Sequence, residues 1–190
     1  MLVEGVGRVA PKPVVITVGA KEWSELATEA LRRAEHRGYA SGDTKWKKGM
    51  RKTARNPYTG EVIEGAAAAI LIGMVGEYAV HQWCHGTSGI DLRLHGVPLQ
   101  IKTRSTTRCE VREKEFLGRV KRKQYVVYVF AETVKDKPGD IAILGWQHGG
   151  CRRHTVRESN YGHRNIVIAD EELLPMSRLM SFCRARRPQC

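Results

Sequence analysis

Residues 125–130, Tyr-Val-Val-Tyr-Val-Phe, form a nearly continuous apolar run, and this run constrains the fold more than any other stretch. A strand that alternates apolar and polar residues covers a core with one face. A strand apolar on both sides belongs in the middle of a sheet, covered above and below. A second run, Ile141-Ala-Ile-Leu144, follows the turn Asp136-Lys-Pro-Gly139; the two fit a short hairpin as well as neighbours in a mixed sheet. Ahead of them, the alanine-rich stretch 65–83 reads as a helix. Gly73 and Gly76 inside it cost helix stability, so they predict that the helix packs closely on the sheet. The expected class is α/β, and 190 residues are enough for one domain with a real core.

Toward the N-terminus, Val14-Val-Ile-Thr-Val18 follows Pro11 and Pro13 and reads as an added strand or ordered arm. Lys21–Arg37 is an amphipathic helix: Trp23, Leu26, Ala27, Ala30, Leu31 and Ala34 recur at three- and four-residue steps, and Gly38 stops it. Residues 148–165, rich in Gly, Arg and His, are expected to be irregular. Asn165–Ile168 forms a last short strand, and Asp170 is placed to cap a following turn. The expected division is residues 1–64 as arm, helix and basic loop, 65–180 as core and 181–190 as a basic tail, compact as a whole.

A net charge of +12 calls for a polyanionic partner, most simply nucleic acid. The basic residues interleave with strands and turns and do not line one amphipathic helix, which disfavours a membrane-surface role. Lys45, Lys47, Lys48, Arg51, Lys52 and Arg55 surround Trp46 in the loop before Asn56-Pro57. That composition suits phosphate pairing with an aromatic lying on a base or sugar; a solvated charge run is the plainer reading. A second basic segment, 104–123, contains Arg104 and Arg108. Five irregularly spaced cysteines suit a reducing cytoplasm better than a disulfide framework. His81, Cys84, His85, Cys109, Cys151, His154 and His163 include no two well-spaced pairs of the kind structural zinc uses.

The chemistry gathers between Gly73 and Thr103. Gly-Met-Val-Gly-Glu77 places one carboxylate on the alanine-rich helix; Asp91 follows a Gly-Ile turn; Leu99-Gln100-Ile101-Lys102-Thr103 is a strand. Strand alternation puts Gln100 and Lys102 on one side and Ile101 on the other. Two carboxylates beside a lysine are what metal-assisted phosphodiester cleavage requires. Gln100 adds an uncharged oxygen able to bind a metal weakly or to hold a metal-bound water.

This order of residues resembles the PD-(D/E)XK nuclease superfamily, in its variant with glutamine at the first position of the E-x-K motif. The resemblance spans about residues 65–180. It implies a restriction-endonuclease-like core, a central mixed β-sheet flanked by helices, in which a helix precedes three strands followed by another helix and strand. Little room is left here for that second helix. It implies Glu77, Asp91, Gln100 and Lys102 as catalytic residues, and Glu77, Asp91 and the Ile101 carbonyl as ligands of Mg²⁺, with Mn²⁺ as substitute. DNA is the implied substrate. No motif selects among the superfamily's specificities; small size without a separate recognition domain leans toward structure-selective cutting, with a homodimer as one way to act on two strands. The alternatives are a binding protein of the same fold without the chemistry, and an RNA-directed protein.

Overall fold

The computed structural model describes residues 9–36, 52–84, 92–104, 108–116, 126–149, 155–158, 162 and 164–186. In chain order its elements are β1 (Val14–Thr17), α1 (Ala20–His36), β2 (Thr53–Arg55), β3 (Val62–Glu64), α2 (Gly65–Cys84), β4 (Arg93–Leu94), β5 (Val97–Arg104), β6 (Cys109–Arg112), β7 (Val127–Val134), β8 (Lys137–His148), β9 (Thr155–Glu158), β10 (Arg164–Ile168) and α3 (Leu179–Ala185).

The chain is a mixed α/β fold built on a five-stranded sheet of order β1-β8-β7-β5-β4. The apolar run does become a central strand: β7 lies between β5 and β8, and Val127 to Ala131 are all buried. Both pairings weighed for the two apolar runs occur together. β7 and β8 form an antiparallel hairpin, while β5 runs parallel to β7, with Gln100 opposite Tyr128 and Lys102 opposite Phe130.

Alternation along β7 divides the interior into layers. Val127 and Val129 pack with Leu99, Val80 of α2 and Leu179 and Cys183 of α3. Tyr128 and Phe130 face the other way, onto Val111 and Ile166 of a three-stranded sheet of order β6-β10-β9. Helices α1, α2 and α3 therefore lie over one face, with α1 outside α2 in a shared core, and a small sheet covers the other. A parallel pair needs a crossover of a dozen residues or more. Here the described part of that crossover is β6 and the helical residues 113–116, which stand where a full second helix was expected.

Of the strand and the arm weighed for residues 14–18, the strand is found: β1 pairs with β8, and α1, the expected amphipathic helix, puts Trp23, Ala27 and Ala30 in the core with Leu71 and Val75. Two sequence expectations change. The boundary at residue 181 cuts through α3, whose Leu179 and Cys183 are fully buried. Residues 155–158, expected to be irregular, pair as β9 with β10.

Helix α2 carries a single charged residue, Glu77, in twenty positions. A helix apolar almost all round is one buried on several sides, and α2 lies between the sheet and α1. Gly76 makes this possible: a Cβ added there would collide with Thr103 Oγ1. The register of β5 is set by a tight hairpin in which His95 and Gly96 both have positive φ, 51° and 82°, the geometry that matches strand twist. Gly76→Ala is expected to destabilise the protein by about 1–3 kcal/mol through overpacking in urea denaturation, with part of the loss recovered in the Gly76→Ala/Thr103→Ala pair. An alanine variant as stable as wild type would show that the contact is not tight.

Candidate active site at the open edge of β5

Helix α2 runs antiparallel to β5, from Gly76 over Thr103 toward Val80 beside Leu99 and Val97. β4 pairs with only the first residues of β5: Arg93 opposes Pro98, Leu94 opposes Val97, and the Leu99 amide donates to the Leu92 carbonyl at 2.7 Å. Beyond Leu99, no described strand covers this edge. The Leu99 amide points toward β4, so by alternation the backbone groups of Ile101 and Thr103 point the same way, away from β7. The Ile101 carbonyl therefore faces the open edge.

Side chains flank that edge on both faces. Leu99, Ile101 and Thr103 face the helices; Gln100, Lys102 and Arg104 face the small sheet. The Lys102 Nζ lies 3.2 and 3.3 Å from the two carboxylate oxygens of Glu115. The Gln100 Oε1 is buried and has no hydrogen-bond partner among the described residues. Glu77 occupies the same α2 stripe as Val80 and Cys84 (positions i, i+3 and i+7), and those two pack on Leu92, Leu94 and Val97. Glu77, one residue beyond Gly76, is exposed on the helix, within the electrostatic reach of Arg33 on α1.

Gln100 and Lys102 are brought together on one face, with the Ile101 carbonyl at the edge between the faces. Glu77 stands on the helix that covers the opposite face of β5 and does not share the Lys102 face. Its side chain keeps contact with solvent, yet partial burial raises its carboxyl above the ordinary range, opposed by the charge of Arg33. Asp91 lies outside the described residues; Leu92, the next residue, is tied to β5 by the Leu99 bond.

The Ile101 carbonyl and the Gln100 Oε1 are oxygen donors of the kind magnesium prefers, an ion that needs only one or two carboxylates and keeps several waters; Glu77 lies across the strand from Gln100. Among the described residues no three His, Cys, Asp or Glu side chains group closely enough to hold a metal. Cys84 and Cys183 are buried thiols, the latter raised to about 11 by burial and then by Cys84.

Of the residues expected to contact nucleic acid, Lys45, Trp46, Lys47, Lys48 and Arg51 lie outside the described residues. Arg55 and Arg108 are exposed and Lys52 is half-buried. Arg55 stands on the β2–β3 hairpin, which turns around Asn56; its Oδ1 accepts from the Tyr58 and Thr59 amides. The Tyr58 hydroxyl donates to the Val18 carbonyl and fixes this hairpin to the end of β1.

Arg104 has a different task from the phosphate contact expected of it. Its Nε donates to Glu132 at 2.6 Å, and Nη1 and Nη2 donate to the two Asp170 oxygens at 2.7 and 3.1 Å, with its side chain 10% exposed. Burial works against its charge, but Asp170 and Glu132 more than offset that and raise its pKa. The neighbouring Cys109 thiol is pushed up to about 12, first by burial, with Arg104 opposing and Asp170 adding. Asp170, expected as a helix cap, is instead the anchor of this fork. Sequence reading missed Glu115 and Glu132 altogether, because single carboxylates near basic residues read as surface charge.

No protein-family model matches this chain, and no curated protein or solved structure matches it.

Two outcomes follow from these environments. A raised carboxyl pKa disfavours the ionised form in the folded state: its stabilising share is complete below the unfolded value and lost as pH rises through the folded one. Glu77→Gln is therefore expected to be more stable than wild type at neutral pH, with the difference vanishing below about pH 4; thermal denaturation across pH checks this. Arg104→Ala should cost about 2 kcal/mol in chemical denaturation, below the usual range for a broken buried pair because both carboxylates retain water contact. An unchanged midpoint would mean the fork contributes nothing.

Proposed function

We propose that the protein is a divalent-metal-dependent nuclease that hydrolyses DNA phosphodiester bonds, in the manner of the PD-(D/E)XK superfamily it resembles. The observation that carries this reading is the open edge of β5, where the Ile101 carbonyl lies between Gln100 and Lys102 on a strand covered on its other face by the helix that carries Glu77. Catalysis of phosphodiester cleavage is mostly positioning and charge stabilisation, and this edge offers fixed oxygens and a fixed cation on a strand packed from both sides.

Glu77, Asp91 and the Ile101 carbonyl are the groups that would hold Mg²⁺ or Mn²⁺, which supplies Lewis-acid stabilisation and a more acidic water when bound. The Gln100 Oε1 accepts a hydrogen bond from the attacking water and orients it. Water adds to phosphorus in line, losing a proton to solvent as the opposite P–O bond breaks; the Lys102 ammonium stands where negative charge builds on the phosphoryl oxygens. The departing oxygen leaves as alcohol after taking a proton from solvent. The net charge of +12 draws the polyanion toward the edge, with Arg55, Arg108 and Lys52 among the contacting groups.

A specific observation favours a second reading, nucleic-acid binding without cleavage: the Lys102 amine is already paired with Glu115, and Glu77 lies across the strand from it. Incubation with Mg²⁺ or Mn²⁺ and supercoiled, linear, branched and single-stranded DNA separates the two, and competition with RNA at matched salt decides the polymer. Lys102→Ala is expected to lower the cleavage rate by about 10²–10³-fold while leaving folding and DNA affinity near wild type. Cleavage at an undiminished rate by that variant would remove Lys102 from the chemistry; binding without any cleavage by the wild type would favour the second reading.

A further inference from the structure

A hard divalent cation on the Gln100–Lys102 face needs a formal negative charge, and Gln100 has none. The carboxylate on that face is Glu115, thirteen residues beyond Lys102, with both oxygens within 3.3 Å of the lysine amine. Two independent contacts fix it there. One is the Lys102 pair itself. The other is its neighbour Phe116, whose ring stacks on Tyr128 at a centroid distance of 5.8 Å, and Tyr128 is the residue paired across from Gln100 in β7. These contacts hold Glu115 against Lys102, on the same face of the sheet as Gln100. The Glu115 side chain is 24% exposed, so the site is reached from its side, while the Gln100 Oε1 is its buried, unpaired wall. A carboxylate offers about four lone-pair positions on two oxygens, so pairing with an amine is compatible with binding a cation as well.

We propose that Glu115 supplies the carboxylate that Gln100 lacks, so that Glu115 and the Gln100 Oε1 together form a divalent-cation subsite beside Lys102. This rests on the nuclease reading for its purpose but not for its measurement. The acid has moved from the strand to the crossover, and the residue left on the strand is a neutral oxygen. Lys102 is then held in place by the same carboxylate, which couples the position of the charge-stabilising amine to the cation site.

The test is Mn²⁺ titration followed by electron paramagnetic resonance of the free ion, on the full chain. Glu115→Gln should weaken Mn²⁺ binding by about tenfold or more, since even groups that only support metal ligands are worth 10- to 100-fold. Gln100→Glu in that background should restore it, because it returns a carboxylate to the same face. A purely structural partner of Lys102 would not be rescued in this way. Should Glu115→Gln fail to fold, Gln100→Glu alone still decides: tighter Mn²⁺ binding supports the subsite, and unchanged binding overturns it. Wild-type Mn²⁺ affinity in Glu115→Gln, or no rescue in a folded double variant, also overturns it. If Glu115→Gln binds and cuts like wild type while Lys102→Ala does not cut, the subsite falls and the nuclease reading stands. If wild type binds Mn²⁺ through Glu115 but cuts no DNA, the reverse holds.

Discussion

The close approach of α2 to β5 is the constraint from which the rest follows. Without a side chain on Gly76, the helix backbone comes down onto Thr103, and that one contact fixes both the height and the direction of α2 over the sheet. It decides where Val80 and Cys84 meet β4, where Ala68 and Leu71 meet α1, and on which flank the helix's only charge appears. A helix so apolar has no stable place in water; pressed between α1 and the sheet, it can tolerate one carboxylate only at an edge. Glu77 is the result, an acid exposed on the flank of an apolar helix, where desolvation still pushes its carboxyl upward against the charge of Arg33.

The two faces of β5 perform different tasks. The helical face is a continuous apolar core that sets the strand's position. The opposite face begins with the aromatic layer of Tyr128 and Phe130 and ends in polar groups: Gln100, then Lys102 with Glu115, then Arg104 with Glu132 and Asp170. Charge increases along the strand as β4 falls away from its edge. The result is a strand whose first half is structural and whose second half presents oxygens and cations around an unpaired backbone.

Much of this was legible in the sequence. The apolar run at 125–130, the alternation of Gln100-Ile-Lys102 and the glycines of α2 each carry a local rule that the fold obeys. What was not legible depends on distant partners. β9 has four exposed residues and therefore no burial pattern to read; only its pairing with β10 makes it a strand. β6 alternates Cys109 and Val111 inward, but it lies in a segment whose charges dominate any short window. Arg104 looks like every other arginine nearby until Asp170, far along the chain, comes beside it. Glu115 is likewise one acid among many bases, and its meaning comes from a crossover whose path no local pattern encodes.

The Arg104 fork also sets an order of events during synthesis. Its main anchor, Asp170, lies 66 residues later in the chain, and α3, which covers the middle of the sheet, comes later still. A ribosome adds residues one after another, N-terminal parts first. By then the far end of β5 is already paired with β7 and tied to Glu132, so the Asp170 arm of the fork closes last, locking a strand end made 66 residues earlier.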